Sequence, residues 1–547
     1  MQRDTDLAYR SRRTSFGNIA YPHPTIPFPV RCGSATRPAW YRQPYLPQLD
    51  DYGFMAERFQ NYIGGSWRDA ASGDTFENAN PARTSDVIGH FPASGIVDID
   101  FAASAAREAF RGWSRMPAPQ RGEILRRVGD LLTQRKDDIA FEMTREMGKP
   151  FTETRGDVQE AIDTAYYAAS ETRRLFGRTV PSELPSKFNM SVRRPVGVVG
   201  VITAWNFPVA VPTWKIFPAL AAGNTVIFKP SDDAPYTGML LTHVLVDAGV
   251  PEGVINLVQG NGKVGAALVS HPQVTAITFT GSSETGSRIG EVCGRMHKRF
   301  SMEMGGKNPQ IVMDDADLDL AVEGVLWGAF GTTGQRCTAT SRLILHDAIH
   351  DEVVDRVVDR ARRLRLGYGN DEGVEVGPLI NQAAVEKVTR YIGIGREEGA
   401  EVVLGGNRAT GDGLDDGYFF ETTVFTGVKR DMRIAQEEIF GPVLSVFKVG
   451  SYEDAVEVAN STRYGLSSSI YTRDVNRAFR AMHDIEAGIT YVNGPTIGAE
   501  AHMPFGGVKE TGNGHREGGW EVFDFYTETK TLYIDYSGRL QKAQIDI

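Results

Sequence analysis

Cysteine is scarce in this sequence. The 547 residues hold three, Cys32, Cys293 and Cys337. They stand far apart and are odd in number, which excludes a disulfide framework and the paired spacing of a zinc site, so no metal is expected. A reducing compartment, with the cytoplasm as its default, is the simpler setting. Long apolar runs are missing too. No stretch of about 18 apolar residues occurs, so no transmembrane helix is expected. No apolar segment near the N-terminus has the form of a secretory signal. Excess positive charge is also absent. The net charge of −10 argues against nonspecific binding to nucleic acid or an anionic membrane. No repeat with a period of roughly 20–50 residues is evident.

What is present is the make-up of a globular chain, 41% hydrophobic and 23% charged. The length suggests about two to four domains. Residues 1–54 are rich in Arg, Pro and Tyr and show no period. They read as an extension, disordered or loosely docked. Residues 98–114, 119–147 and 155–176 carry helical periodicity, the second stopping at Gly148 with Pro150 beyond. From 196 to 304 apolar strands alternate with helical stretches: VGVVGVIT, NTVIFK, VINLVQ, VTAITFTG and RFSMEMG. Five such strands predict a parallel, doubly wound, Rossmann-like sheet. The alternation resumes at NPQIVM and continues through RLILH, EVVLGG, VLSVFKVG, SSSIYT and GITYVN, a second α/β unit. KFNMSVRRPVG (187–197) and ETKTLYIDYSG (528–538) alternate like arm strands, with edges suited to pairing with another subunit.

Several short motifs lie where strands end. ITAWNFP places Asn206 between Trp205 and Phe207. An amide can donate to an oxyanion without carrying charge; the alternative is a buried, satisfied Asn. KPSD puts Lys229, Ser231 and Asp232 after a strand. The cation and carboxylate suit ribose hydroxyls, and Asp232 would repel an added 2′-phosphate; the alternative is a solvated turn with Ser231 or Asp232 as a helix cap. FTGSSETG brings Gly281, Ser282 and Gly286 to a strand-to-helix turn able to meet a pyrophosphate. MEMGGKNP sets Glu303 on an apolar strand, where a carboxyl is costly to bury unless paired or raised in pKa. It is either a general base or the partner of Lys307 in a structural salt bridge. GQRCT surrounds Cys337 with polar residues, and Arg336 and backbone amides are candidates to raise its thiolate fraction. The alternative is an inert cysteine. EEIFGPV offers Glu438 to a second ribose and Phe440 to the nicotinamide side, or else a helix-end charge pair and a core Phe.

These motifs, in this order and with PFGGVKETGNG (504–514) after them, resemble the aldehyde dehydrogenase superfamily from about residue 57 onward. The resemblance implies the family's fold: a Rossmann-like NAD domain, a second α/β catalytic domain and a small β oligomerisation arm. The NAD domain would take 55–178 and 196–304, the catalytic domain 305–515, and the arm and tail 179–195 and 516–547. It implies Cys337 as nucleophile, Glu303 as general base and Asn206 as oxyanion donor. Trp205, Lys229, Ser231, Asp232, Gly281, Ser282, Gly286, Glu438 and Phe440 fall at cofactor positions. Many NAD-preferring members have Glu where Asp232 stands; Asp keeps the charge, so NAD is expected over NADP. A homodimer or homotetramer is implied.

The substrate would be a small-molecule aldehyde. The tail and the Arg336–Cys337 pair resemble the α-aminoadipic semialdehyde dehydrogenases, or antiquitins, and imply an anionic semialdehyde read by Arg336, with Phe207 beside it. AHMPFGG and KPSD depart from that branch. Phe207, Trp214 and Trp327 favour instead a tunnel for general aliphatic or aromatic aldehydes. A thiol hydrolase or esterase using Cys337 and Glu303 is the alternative of another class, and a CoA-acylating dehydrogenase a nearer one.

Overall fold

The computed structural model describes residues 57–545. The expected extension, 1–54, and Cys32 lie outside the described residues. The chain begins with a hairpin, β1 (Asn61–Ile63) and β2 (Ser66–Arg68), whose turn uses Gly64 and Gly65 at φ 62° and 93°. A second hairpin follows, β3 (Thr75–Asn80) and β4 (Arg83–Pro92). Four helices come next: α1 (Ile96–Arg115), α2 (Ala118–Gln134), α3 (Lys136–Met147) and α4 (Phe151–Glu171). The single helix expected over 119–147 is two. The chain leaves the helix at Arg135 (φ −103°, ψ 10°), which ends α2 and starts α3. A break of one residue leaves the apolar period unbroken, so periodicity does not reveal it. α3 stops as expected at Gly148, left-handed at φ 88°.

After β5 (Arg178–Val180) and β6 (Lys187–Pro195) the alternating region unfolds in order: β7 (Val198–Ile202), α5 (Ala210–Ala222), β8 (Thr225–Lys229), α6 (Pro235–Asp247), β9 (Ile255–Leu257), α7 (Gly262–Ser270), β10 (Ala276–Thr280), α8 (Ser283–Arg295) and β11 (Arg299–Glu303). The sheet order is β11-β10-β7-β8-β9-β1-β2. The five expected strands are parallel, and the N-terminal hairpin extends them antiparallel. Residues of β7 and β8 are buried throughout, since helices cover both faces.

The second sheet begins with β12 (Asn308–Val312), followed by α9 (Leu318–Phe330) and β13 (Thr340–His346). It adds β14 (Glu401–Leu404), β15 (Thr423–Thr426), β16 (Val443–Val449), β18 (Ser467–Tyr471) and β19 (Ile489–Val492), in the order β14-β15-β16-β13-β12-β18-β19. β15, four residues long, has no counterpart in the expected strands. A two-residue ladder of β17 (Tyr464–Gly465) with β20 (Val508–Lys509) anchors the PFGGVKETGNG segment, where Met304 N donates to Thr511 O at 2.8 Å. β21 (Thr527–Asp535) completes a three-stranded arm with β6 and β5. The two arm segments, each expected to offer an edge to another subunit, pair with each other from Thr527↔Pro195 to Asp535↔Lys187. Among the described residues no helix is long and apolar enough to cross a membrane.

Lateral register is fixed by buried polar contacts as well as by apolar packing. Glu146 of α3 is fully buried and accepts from Tyr236 N at 2.6 Å and Thr237 N at 2.8 Å, the first donors of α6. It thereby fixes the helix that follows the KPSD turn. Glu146→Ala leaves those two N–H groups buried and unpaired, at about 1–3 kcal/mol each. The thermal midpoint should fall by several degrees, with Glu146→Gln recovering part of the loss. An unchanged midpoint would show that water replaces the cap.

Candidate active site

The Cys337 loop starts where α9 ends. Gly331–Gly334 form a tight turn in which Thr332 and Thr333 are left-handed, at φ 51° and 57°, with Gly334 at 67°. That conformation is strained for β-branched residues and persists only where neighbours fix it. Thr332 N and Oγ1 donate to the two oxygens of Glu153, at 3.0 and 2.5 Å. Thr333 Oγ1 donates to Gly377 O at 3.0 Å, and Ile380 N to the Gln335 side chain at 3.0 Å. Beyond Cys337, Asn308 Nδ2 donates to its carbonyl at 2.8 Å, and a Cβ at Gly306 would collide with the same carbonyl. The glycines of MEMGGK therefore let the thiol loop lie against the end of β11.

Cys337 is half-buried in the wall of a cavity of about 370 Å³, which Glu303 also lines. Cys293, by contrast, is fully buried in the apolar core of the first sheet. Glu303 is the last residue of β11, paired in parallel with Thr280. Among the described residues, neither of its carboxyl oxygens has a hydrogen-bond partner. The Lys307 bridge is not formed, and Lys307 Nζ itself has no hydrogen-bond partner among the described residues. Burial, then the charge of Glu517, pushes the Glu303 carboxyl well above the carboxylate range, against the pull of Lys215 and Arg516. A Cβ at Gly506 would lie 2.6 Å from Glu303 Oε1, so the second glycine-rich segment makes its room. Behind it Lys215 is ion-paired with Glu517 and donates to Thr278 Oγ1 at 3.2 Å.

Asn206 follows β7. Its Nδ2 donates to Gln335 O at 3.0 Å, two residues before Cys337, so the structure brings the two motifs together. Its own carbonyl accepts from Lys149 Nζ at 3.0 Å. Phe207, Trp214 and Trp327 all line the cavity, as does Phe505 from PFGG. Arg336 lines it too, 9% exposed at its side chain. Its Nη2 meets Glu153 at 2.6 Å, its Nε meets Thr332 Oγ1 at 2.8 Å, and it lies 4.6 Å over the Trp327 ring. Its Nη1 makes no hydrogen bond among the described residues. The expectation that Arg336 raises the thiolate fraction is not met, because the guanidinium is committed to Glu153. The Cys337 thiol is pushed up to about 12 by burial, then by the charges of Glu438 and Glu303, with only backbone amides opposing.

At the other end of the carboxyl edge, Trp205 and Phe440 meet edge to face, centroids 5.7 Å apart. Phe440 is held left-handed at φ 62°. Glu438 is aimed at the Gly305–Gly306 turn: Gly306 N donates to its Oε1 at 2.9 Å, and a Cβ at Gly305 would collide with its Oε2. Lys229 is buried and donates to Pro230 O at 2.8 Å. Asp232 is exposed and makes no hydrogen bond among the described residues. Neither Ser231 nor Asp232 caps α6; Ala234 holds that position, and Ser231 Oγ accepts from Asp233 N at 3.3 Å. Ser282 caps α8, accepting from Thr285 N at 3.3 Å. Gly281 and Gly286 sit where a Cβ would strike Phe279 and Met304.

A profile of the aldehyde dehydrogenase family matches residues 67–532. The chain belongs to the aldehyde dehydrogenase family. It is thus an oxidoreductase acting on aldehydes. It is 40% identical over 477 residues to an alpha-ketoglutaric semialdehyde dehydrogenase of Bacillus subtilis, covering 87% of this chain and 98% of that one. It is 42% identical over 484 residues to an alpha-ketoglutarate semialdehyde dehydrogenase of Haloferax volcanii, covering 88% and 100%. Betaine aldehyde dehydrogenase of Staphylococcus aureus, solved in complex with NAD+, superposes with a TM-score of 0.86 at 34% identity, over 88% of this chain and 96% of that one. An NAD-dependent aldehyde dehydrogenase of Sinorhizobium meliloti does so at 0.86 and 37%, over 89% and 96%.

Sequence reasoning missed the polar residues of α4. Glu153, Asp157 and Glu160 all line the cavity. Their spacing of four and three marks one helix face, but acids on an amphipathic helix read as its solvated side. A measurable consequence attaches to the thiol. A raised pKa means less thiolate at neutral pH than an ordinary cysteine, near about 8.5, would have. In the cofactor-free protein, alkylation of Cys337 by iodoacetamide should keep rising about tenfold per pH unit from pH 7 to 10. A plateau below about pH 9 would mean a stabilised thiolate.

Proposed function

We propose that this protein oxidises a short semialdehyde bearing a distal carboxylate to the corresponding acid, with NAD as acceptor. The observation that carries the reading is a single cavity walled by Cys337, Glu303 and one cation, Arg336, among the described residues. The printed names of the two curated relatives, both alpha-ketoglutarate-type semialdehyde dehydrogenases, support a carboxylate-bearing substrate. Aminoadipate semialdehyde, suggested by the Arg336–Cys337 pair, belongs to the same chemical class.

The residues at the carboxyl edge of the first sheet fit a dinucleotide. Asp232 is exposed and free for ribose hydroxyls, and its charge disfavours a 2′-phosphate. The thirteen-residue α8 presents its N-terminus with Ser282 at the cap. Glu438 and Phe440 stand at the other end, beside Trp205. The NAD-bound neighbours support the same assignment. In this reading the first sheet and its helices form the cofactor unit, the second sheet the catalytic unit, and the three-stranded arm the oligomerising element of a homodimer or homotetramer.

Once its proton has passed to solvent, Cys337 Sγ forms a bond to the aldehyde carbon while the C=O π pair moves onto the oxygen, which becomes an alkoxide. Asn206 Nδ2 and the Cys337 N–H donate to that oxygen; loss of one such donor costs about 10²–10³ in rate. NAD, when bound, accepts the hydride. The carbon then remains on Cys337 as a thioester. Glu303 takes a proton from water, the water oxygen attacks the thioester carbon, and the acid leaves as the sulfur is freed. Burial keeps this carboxyl neutral beforehand, so Glu303 must release its own proton to solvent before it can accept one from water at this second stage. The free Nη1 of Arg336 would meet the substrate carboxylate.

Cys337→Ala should leave under about 1% of turnover while NAD still binds, measured by reduced-nicotinamide absorbance and by calorimetry. Retention of more than a few per cent would refute the nucleophile. The substrate class is tested by the ratio of kcat/KM for succinate, alpha-ketoglutarate and aminoadipate semialdehydes to that for hexanal and benzaldehyde. Arg336→Ala should lower this ratio by about 10–100-fold, the worth of one charge-assisted hydrogen bond. An unchanged ratio, or a wild-type preference for hexanal, would favour the aromatic walls as the specificity element.

A further inference from the structure

The groups that meet the substrate oxygen come from two loops of different sheets. Asn206 follows β7 of the first; Cys337 precedes β13 of the second. One helix touches both. Glu153 and Asp157 lie four residues apart on α4, hence on one face, and their side chains are 4% and 0% exposed. Glu153 accepts from Thr332 N, from Thr332 Oγ1 and from Arg336 Nη2, all on the Cys337 loop. Asp157 accepts from Ala210 N at 2.6 Å, at the start of α5, and from Lys149 Nζ at 2.7 Å. Lys149 in turn donates to Asn206 O at 3.0 Å. The loops touch directly where Asn206 Nδ2 donates to Gln335 O.

Resting on the assignment of Cys337 and Asn206 above, we propose that Glu153 and Asp157 are paired positioning residues: one turn of α4 sets the height of the Cys337 loop against the Asn206 loop and so shapes the oxyanion site. Three features favour registration over simple burial of charge. The turn that Glu153 grips is left-handed at two threonines, a conformation that relaxes when its grip is lost. Both carboxylates bind main-chain N–H groups, which fix backbone position rather than only neutralise a cation. Both partners, Lys149 and Arg336, lie over the same ring, Phe207, at 3.9 and 5.6 Å, so the two clamps share one wall.

The test uses Glu153→Gln and Asp157→Asn, nearly isosteric, in the full-length enzyme with NAD. The first-turnover burst of NADH should slow about 10–100-fold in each, equally on anionic and neutral aldehydes, with KM and the NAD dissociation constant within about threefold. Glu153→Asp should restore less than Glu153→Gln, because it is shorter although it keeps the charge. The deciding readout is a cycle with Asn206→Ala. If the carboxylates act through the oxyanion site, each adds less than about threefold once Asn206 is gone. Full additivity in that background, or single variants within twofold of wild type, would overturn the proposal. Loss of NAD binding in both variants would overturn it as well, by assigning the pair to folding alone. Failure of the underlying reading looks different: wild type without an NADH burst, or a Cys337→Ala enzyme that still turns over.

Discussion

The site depends on the parallel register of the first sheet. Ile202 lies opposite Lys229, Phe279 opposite Ile202 and Thr280 opposite Glu303, so β7, β8, β10 and β11 all stop at one level. Whatever follows each strand then opens at the same edge: the Asn206 loop, the KPSD turn, the Ser282 cap and the Glu303–Gly306 segment. A slip of one residue in a parallel strand would exchange its two faces and carry its loop out of reach. Apolar burial on both faces of β7 and β8 is what forbids the slip. The second sheet brings two loops to this edge, that of Cys337 before β13 and that of Glu438 and Phe440 before β16, and the Gly305–Gly306 turn allows their approach.

Burial gives that edge its electrostatic character. Glu438 and Glu303 raise the cost of ionising Cys337, and Glu517 raises that of ionising Glu303. These four groups, so close together, would be untenable if all were charged. Lys215 offsets Glu517, and the amide of Gly306 meets Glu438. Glu303 is left without a hydrogen-bond partner among the described residues, and its burial favours the neutral form. Under the proposed mechanism, groups held in their uncharged forms would have to ionise in turn.

Much of this was legible in the sequence, and the limits have physical causes. β7 and β8 announce themselves because strands covered on both faces must be largely apolar; the edge strand β11, RFSME, stands out instead by the alternation of its apolar and polar residues. β1, β2 and β15 are three or four residues long, and only one side of β2 meets the core, so no pattern accumulates. The one-residue break at Arg135 leaves the helical period intact on both sides. The motifs around Cys337, Glu303 and Asn206 stand out because polar residues gather where apolar strands begin or end. Glu153 and Asp157 do not, because a buried acid on an amphipathic helix has the same letter as a solvated one. Their partners, Thr332 and Lys149, are distant in sequence, and only folding pairs them.

Arg336 shows how one side chain answers to two demands. A lone guanidinium in a cavity walled by Phe207 and Trp327 would lack counter-charge, and its field would favour a thiolate before substrate arrived. Glu153 cancels that field and fixes the plane of the group, at 2.6 Å from Nη2. Thr332 holds Nε, and two aromatic rings hold the faces. What remains is one oriented donor, Nη1, on a neutral pair. Such a donor recognises a carboxylate by hydrogen bond and position more than by net charge. It rejects little else by repulsion, so an uncharged aldehyde of similar length is disfavoured only by the bond it cannot make. With Arg336 as the proposed reader of the substrate, selectivity from this arrangement would be moderate and would depend on substrate length, the aromatic walls setting how far a chain must reach to meet Nη1.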